Sequence, residues 1–282
     1  MTTTPTTFSI LVPSFNPGRY LAEAMSSALD QLGPHDEILV QDACSTDGSQ
    51  ELLRRLAATD SRLRPVFAAD DGQSDALNRA LSRASGTWTI WLNADDVLCA
   101  GALAGVRAAL ADRPDLQILT GDHRLLRADG EVIDDFDGRP IELDTLLRRS
   151  TCASFSGSVV ARTDFLRDLG GFDTALNCTM DYELQYRIAR ARPRQAAVPV
   201  RIGALRLHDA SKTGTLWRTF LTEAHRLRMG NAATARQRAL GWIGTGEQAA
   251  SVVVFGLRQT AGYRRLRRAV SRSGRAGRAD HG

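Results

Sequence analysis

Trp88-Thr89-Ile90-Trp91-Leu92 is an unbroken run of bulky side chains, and it leads straight into Asn93-Ala94-Asp95-Asp96. A run without polar alternation reads as a strand buried on both faces, as in a parallel sheet covered by helices on each side. Val97 to Asp112 is rich in Ala and Leu and reads as a helix, so the two acids fall in a strand-to-helix turn. In an open α/β sheet, ligands bind beyond the carboxyl ends of the strands. Adjacent carboxylates repel unless a cation shares them, and hard oxygen ligands suit Mg2+ or Mn2+ bridging to a substrate phosphate. The competing reading makes Asp96 the cap of the helix that follows.

The chain before this stretch repeats the same unit. Phe8 to Val12 reads as a strand ended by Pro13, and Tyr20 to Gln31 as a helix with Leu21, Ala24, Met25, Ala28 and Leu29 on one face. Glu37 to Gln41 and Leu63 to Phe67 read as further strands, with helices over Gln50 to Ala58 and up to about Ala84. Such short-spaced alternation argues for a mostly parallel sheet with helices on both faces. Each strand end carries an acid or amide beside small residues: Asp42 to Ser49, Asp70 to Asp75 with Asp71, and Asp95-Asp96. Taken singly, each is an ordinary turn. Along one sheet edge they form a lip suited to a nucleotide, with Asp42 accepting from a base or ribose and a metal holding the diphosphate.

After Pro114 the pattern is mixed. Leu116 to Gly121 reads as a strand, Arg124 to Ile133 as a hairpin around Ala128-Asp129-Gly130, and Ser158 to Arg162 as another strand. Thr163 is positioned to cap a short helix ending near Gly170-Gly171, and Thr179 to cap one whose first turn holds Asp181 and Glu183. Val198 to Ile202 and Leu205 to Leu207 read as two strands leading to His208. Leu216 to Arg228 and Ala232 to Trp242 look helical.

Charge is unevenly spread over the 282 residues. From Arg258 onward, Arg258, Arg264, Arg265, Arg267, Arg268, Arg272, Arg275 and Arg278 face only Asp280, giving +7. The remainder has 28 basic and 31 acidic residues, or −3. A mildly acidic body argues against nucleic acid as a partner. The basic tail, with Tyr263, Leu266 and Val270 on one helix face, has the pattern of an interfacial helix that touches an anionic membrane surface; the other reading is a solvated tail. Met1 to Thr7 lacks the blocks of a signal peptide, and no apolar run approaches the roughly 20 residues of a membrane span. Cys44, Cys99, Cys152 and Cys178 show no metal-like spacing and read as small buried residues of a reducing compartment. The expected location is therefore cytoplasmic, peripheral on the inner membrane face if the tail binds lipid.

The ordered motifs resemble the family 2 glycosyltransferases of the GT-A fold over residues 8–213. Val12-Pro13-Ser14-Phe15-Asn16 is similar to the family's first-strand motif, and Asp42-Ala43-Cys44-Ser45-Thr46-Asp47-Gly48-Ser49 to its second, with Ala43 and Cys44 where a second acid or glycines are usual. Gly72 to Asn78, Gly86, Trp91 to Asp96, Gly170-Gly171-Phe172-Asp173, Met180 to Leu184, and His208 with Ser211-Lys212-Thr213 continue the match.

The resemblance implies an α/β, Rossmann-like domain over residues 1–213, with a nucleotide-sugar half at about 8–115 and an acceptor half at about 116–213. A helical extension with a basic tail follows over 214–282. It further implies an inverting transferase that uses a nucleotide-sugar donor, a divalent cation (Mg2+ or Mn2+) and a glycan or lipid-linked acceptor in bacterial surface polysaccharide or glycolipid assembly. Asp181 resembles the catalytic base. Pro13, Ser14, Asn16, Asp42, Gln73, Ser74, Asn78, Asn93 and Asp95 fall at nucleotide-sugar positions, and Asp42 is similar to the residue that bonds the base. Asp96, Asp95 and His208 fall at metal positions, with Asp96 the direct ligand and Asn93 where many members carry an acid.

Two other readings share parts of this pattern. A nucleotidyltransferase uses a similar sheet and metal carboxylates, but wants a glycine- and basic-rich phosphate loop that Pro13 to Gly18 lacks. A catalytically silent nucleotide-sugar-binding module would keep the fold; the Asp95, Asp96 and Asp181 set argues against it.

Overall fold

Alternating side chains of the first strand, β1 (Phe8–Ser14), divide the interior in two: Phe8, Ile10 and Val12 enter one core and Leu11 the other. The computed structural model describes residues 6–149, 154–208 and 217–259. After β1 come α1 (Tyr20–Leu29), β2 (Glu37–Asp42), α2 (Ser49–Thr59), β3 (Leu63–Phe67), α3 (Gln73–Arg83), β4 (Trp88–Trp91), β5 (Val97–Leu98), α4 (Ala102–Ala111), β6 (Ile118–Arg127) and β7 (Val132–Phe136). The second part holds α5 (Leu143–Arg148), a 3-10 turn (Ser156–Ser158), β8 (Val159–Arg162), α6 (Thr163–Asp168), α7 (Met180–Ala191), β9 (Gln195–Leu207), α8 (Trp217–Asn231) and α9 (Ala235–Gln259).

One sheet runs β3-β2-β1-β4-β8-β6-β9-β5, with β7 hairpinned onto β6. The first four strands are parallel; β8 is antiparallel to both β4 and β6, and β9 returns parallel to β6. Side chains of α1, α2 and α4 fill one core, those of α3, α5, α6, α7 and α8 the other, so both faces are covered. Pro13 lies inside β1, not after it. Leu11 O accepts from Leu92 N and Ser14 O from Ala43 N, so alternation turns the Pro13 nitrogen toward the β4 side, beyond the last residue of β4. Gly86 admits β4 beside β1: a β-carbon there would lie 2.6 Å from the Phe8 carbonyl carbon and the Ser9 nitrogen. The same crossing is tied by Glu37, which accepts from the hydroxyls of Ser9 and Ser85 and from Ser85 N.

Several expectations are corrected. Val97 does not begin a helix. Val97 and Leu98 pair antiparallel with Ala204 and Gly203, Cys99 N donates to Ile202 O, and α4 starts only after Gly101, whose φ of 76° is left-handed. Asp95 and Asp96 thus join two strands, and Asp96 caps no helix. Strand β9 is one thirteen-residue strand where two were expected, its register against β6 stepped by irregularities at Gly121 to His123. Thr163 makes no cap bond; its hydroxyl donates to Gly86 O. Thr179 likewise makes no side-chain cap, because its hydroxyl donates to Glu223 on α8. Helix α5 has no counterpart in the sequence reading. No helix among the described residues is long and apolar enough to cross a membrane. The tail from Arg264, the Ser211-Lys212-Thr213 segment and Cys152 lie outside the described residues.

Candidate functional site

Ser14 and Asp42 are register partners at the carboxyl ends of β1 and β2, which puts a hydroxyl beside a carboxylate by strand geometry alone. Asp42 is fully buried. Its Oδ2 accepts from the Ser14 and Ser45 hydroxyls, both at 2.7 Å, and its Oδ1 from Ser45 N at 2.8 Å. Asn16 N donates to Ser45 Oγ and Asn16 Oδ1 accepts from Thr46 N, so the two loops form one unit. The unit leaves the Phe15 ring 68% exposed, a residue not singled out from the sequence that offers an apolar face at this edge.

The next loop carries two unsatisfied polar atoms. Asp70 Oδ1 accepts from Gly72 N, but its Oδ2 is buried without a partner, as is the hydroxyl of Ser74. Burial pushes the Asp70 carboxyl up, with Asp75 and Asp42 adding repulsion. Orphaned buried groups of this kind are rare in finished interiors and are what a bound ligand satisfies. The sequence had marked this loop through Asp71, which is exposed; the acid with a buried oxygen is Asp70.

Asn93 is a hub after β4. Its Oδ1 accepts from Trp91 Nε1 at 2.7 Å and Gln73 Nε2 at 2.8 Å, while its Nδ2 donates to Asp96 Oδ2 at 2.8 Å. A carboxylate at position 93 would keep both acceptors and lose the donor. Asp96 is 1% exposed and faces inward, its other oxygen accepting from Arg206 N at 2.8 Å. Burial, then the neighbouring charge of Asp95, holds its carboxyl well above the usual carboxylate range. Asp95 points the other way: its side chain is 32% exposed and its Oδ2 lies 2.9 Å from His208 Nε2. Arg206 braces the turn, donating from Nε to Asp95 O and pairing through Nη2 with Glu23 at 2.6 Å. Tyr20 packs beneath both, 5.2 Å from the Arg206 guanidinium and 4.7 Å from the His208 ring.

Among the described residues no group of three or more His, Cys, Asp or Glu side chains is positioned to hold a metal. Two are. Ligands at adjacent corners of an octahedron with bonds of about 2.1 Å lie roughly 3.0 Å apart. The 2.9 Å between Asp95 Oδ2 and His208 Nε2 fits that spacing, and Mg2+-type ions complete their shell with waters and substrate phosphates. The residues that fit a divalent cation are thus Asp95 and His208, with Asp96 turned inward behind them.

Asp181 lies in the first turn of α7 and lines a cavity of about 30 Å3 with Trp91, Ser156, Phe172 and Gln185. Trp91 links it to the acid turn, since the indole in that cavity donates to Asn93, which donates to Asp96. Asp181 thus shares a cavity with the residue that starts the hydrogen-bonded path to Asn93 and Asp96. Asn78 is not brought to the lip: both ends of its amide bond the backbone of Phe172, fixing the Gly170–Phe172 turn. The residue that sequence reasoning missed most completely is Glu223. Its carboxylate accepts from the backbone of Asn177, Cys178 and Thr179 and from the Thr179 hydroxyl, at 2.9–3.1 Å, just ahead of Asp181.

Residues 9–126 match the family model described as Glycosyl transferase family 2. That stretch, 118 of the 282 residues, is similar to the family 2 glycosyltransferases. It is 32% identical over 136 residues to the putative teichuronic acid biosynthesis glycosyltransferase TuaG of Bacillus subtilis, covering 48% of this chain and 54% of that protein. It is 27% identical over 183 residues to a PGL/p-HBAD biosynthesis glycosyltransferase of Mycobacterium tuberculosis, covering 64% and 68% respectively. Among solved structures, S. aureus TarS 1–349 in complex with UDP-GlcNAc superposes with a TM-score of 0.66 at 16% identity, covering 92% of this chain and 77% of that one. The mannosyltransferase PcManGT from Pyrobaculum calidifontis, in complex with GDP-Man and Mn2+, gives 0.57 at 22% identity, covering 94% and 84%. At these identities the structural likeness is one of fold, the GT-A arrangement.

Proposed function

We propose that this protein is an inverting glycosyltransferase that moves a sugar from a nucleoside-diphosphate sugar to an acceptor hydroxyl, in the assembly of a bacterial surface polysaccharide or glycolipid. The observation that carries the reading is that Asp181 shares a cavity with Trp91, which is hydrogen-bonded through Asn93 to Asp96, with Asp95 and His208 facing outward beside it. In this reading residues 8–115 hold the donor, 116–213 the acceptor, and 214–282 form the extension. The relatives' names support the setting: teichuronic acid and PGL/p-HBAD biosynthesis in the two sequences, UDP-GlcNAc and GDP-Man in the two structures.

The base of the donor stacks against the exposed Phe15 and the Pro13–Ser14 backbone, and its polar edge or the ribose meets Asp70 and Ser74. Asp42 acts by holding Ser14 and Ser45 in position. Asp95 and His208 are the residues that would hold a divalent cation, which when bound would supply Lewis-acid stabilisation for the leaving diphosphate. Asp181 accepts the proton of the acceptor hydroxyl as it attacks the anomeric carbon. One base opposite the leaving group means a single displacement, hence inversion; no second carboxylate in the role of a retaining nucleophile is invoked. The basic tail holds the enzyme at the cytoplasmic membrane face, near a lipid-linked acceptor.

The test is thermal shift and calorimetry against UDP, GDP and dTDP with Mn2+, followed by hydrolysis of the sugar nucleotide whose base binds. Asp181→Asn is expected to keep nucleotide affinity within about twofold and to lose at least 100-fold in turnover. Loss of binding and turnover by the same factor removes Asp181 as the base, and binding without any turnover in the parent chain makes the protein a silent module.

A further inference from the structure

Gly244 brings α9 onto α5: a β-carbon there would lie 2.4 Å from the carbonyl oxygen of Leu147. One and two turns earlier on that face, Leu240 and Arg236 border an open groove of about 430 Å3. That volume lies in the range of roughly 300–1,000 Å3 common to small-ligand sites. Arg139, Arg148, Arg149 and Arg236 line it, against Glu142 and Asp144. Arg236 is paired with Asp144. The guanidiniums of Arg139, Arg148 and Arg149 have no acidic partner among the described residues.

A further cation lies behind the groove wall. Arg228 on α8 is fully buried, donating to Gln248 Oε1 at 2.6 Å and to the Arg149 carbonyl at 3.2 Å, with its guanidinium 5.4 Å from the Tyr182 ring centre. Among the described residues its Nε and the Nε2 of Gln248 have no hydrogen-bond partner, and no ion pair joins Arg228 to a carboxylate. A buried charge without a counter-ion is costly, and its field is screened far less than that of a surface charge. The groove is therefore positive both at its rim and from beneath, a condition that an anion relieves. Its wall is also continuous with the candidate base: Tyr182, next to Asp181, donates from its hydroxyl to the carbonyls of Leu146 and Arg149 at the end of α5.

We propose that the groove between α5 and α9 is a subsite for an acidic group, carboxylate or phosphate, carried by the acceptor glycan. This rests on the transfer reading given above and adds the chemical class of the acceptor. Guanidinium forks match the two oxygens of a carboxylate or phosphate, and several on one concave surface select a charged chain over a neutral one. The groove between the two helices, with Pro140 and Leu240 in its lining, has the volume of a small-ligand recess, which suits a sugar chain better than a planar layer of lipid headgroups.

The test uses the full chain in calorimetry with tetragalacturonate, with neutral maltotetraose, and with phosphatidylglycerol vesicles. Tetragalacturonate is expected to bind and to weaken steeply with salt, maltotetraose not to bind. Arg139→Gln with Arg148→Gln should lose at least tenfold in tetragalacturonate affinity; both positions are exposed, so the fold is kept and the nucleotide-induced thermal shift stays unchanged. Equal binding of acidic and neutral oligosaccharide, unchanged affinity in the double variant, or arginine-dependent binding of vesicles alone overturns the subsite. If tetragalacturonate binds in the arginine-dependent way while no nucleotide diphosphate binds, the subsite stands and the transfer reading falls.

Discussion

The two sides of the candidate cleft are held in different ways. On the β1–β4 side, Asp42 draws its three donors from Ser14 and Ser45, residues of the same half and of loops next to it. On the α7 side, the turn before Asp181 is fixed by Glu223 from the C-terminal extension, and Tyr182 is backed by Arg228 from the same helix. The Asp42 loops are held from within, although the Asp95-Asp96 turn after β4 is braced from β9 by Arg206. Helix α7, which carries Asp181, leans on a segment that follows the sheet in sequence, so α8 supports that side of the cleft and is more than an appendage.

Glu223→Ala puts that difference under the greatest strain. It strips the acceptor from three backbone N–H groups and one hydroxyl at a buried helix start, at a cost of roughly 2–4 kcal/mol. Denaturant unfolding should show a loss of that size, and turnover should collapse while nucleotide affinity holds. Glu223→Gln keeps an acceptor oxygen and should recover part of both. A parallel fall in nucleotide affinity would show that the two sides are one cooperative unit, and the comparison would break.

How much of this was legible follows the same division. Phe8 to Val12, Glu37 to Gln41 and Trp88 to Leu92 were readable as strands because strands covered on both faces carry their burial in their own side chains, whereas Leu63 to Phe67, an edge strand with Arg64 and Val66 exposed, was readable from its place in the strand–helix alternation. Val97-Leu98 was misread because its apolar run satisfies a helix pattern, and the partner that makes it a strand, Gly203-Ala204, is more than a hundred residues away. Helix α5 is six residues long, too short to show a period. Asp95 and Asp96 were found as a pair, but which carboxylate faces out depends on Arg206 N and His208, and neighbouring residues in a turn carry no signal of that. Asn78 was read for its place in a motif and is in fact bound to Phe172. Glu223 gave no sign at all: one acid on a helix flanked by Thr222 and Ala224 looks like any solvated position.

Asp42→Asn tests the loops held from within. The amide keeps the shape but turns an NH2 toward donors that it cannot accept from, so about 2 kcal/mol of stability should be lost. Here nucleotide affinity should fall as well, because Ser14, Asn16 and Ser45 are set by that carboxylate. The effect should be confined to binding: turnover at saturating donor is expected to stay within about threefold of the parent. A loss of saturated turnover with binding intact would place Asp42 on the wrong side of the comparison.

The smallest effect separates the lip from the opposite end of the same strands. Glu37 begins β2 as Asp42 ends it. Burial opposes its ionisation, but bonds from Ser85 and Ser9, with the charge of Arg64, outweigh that and hold its carboxyl below the usual range. A depressed carboxyl contributes stability that is present above its unfolded value, near 4.3, and lost as pH falls through the folded one. Glu37→Gln should therefore cost about 1 kcal/mol at neutral pH, with the gap to the parent closing as the pH is taken down through the acid range. Because nothing at that end touches the lip, nucleotide affinity should not change. Unfolding midpoints compared at pH 7 and in steps below pH 4.3 read the first expectation, and a nucleotide titration reads the second. A gap that widens toward low pH would mean that Glu37 is not held ionised by its partners. A drop in affinity would mean that strain at one end of β1 and β2 reaches the loops at the other.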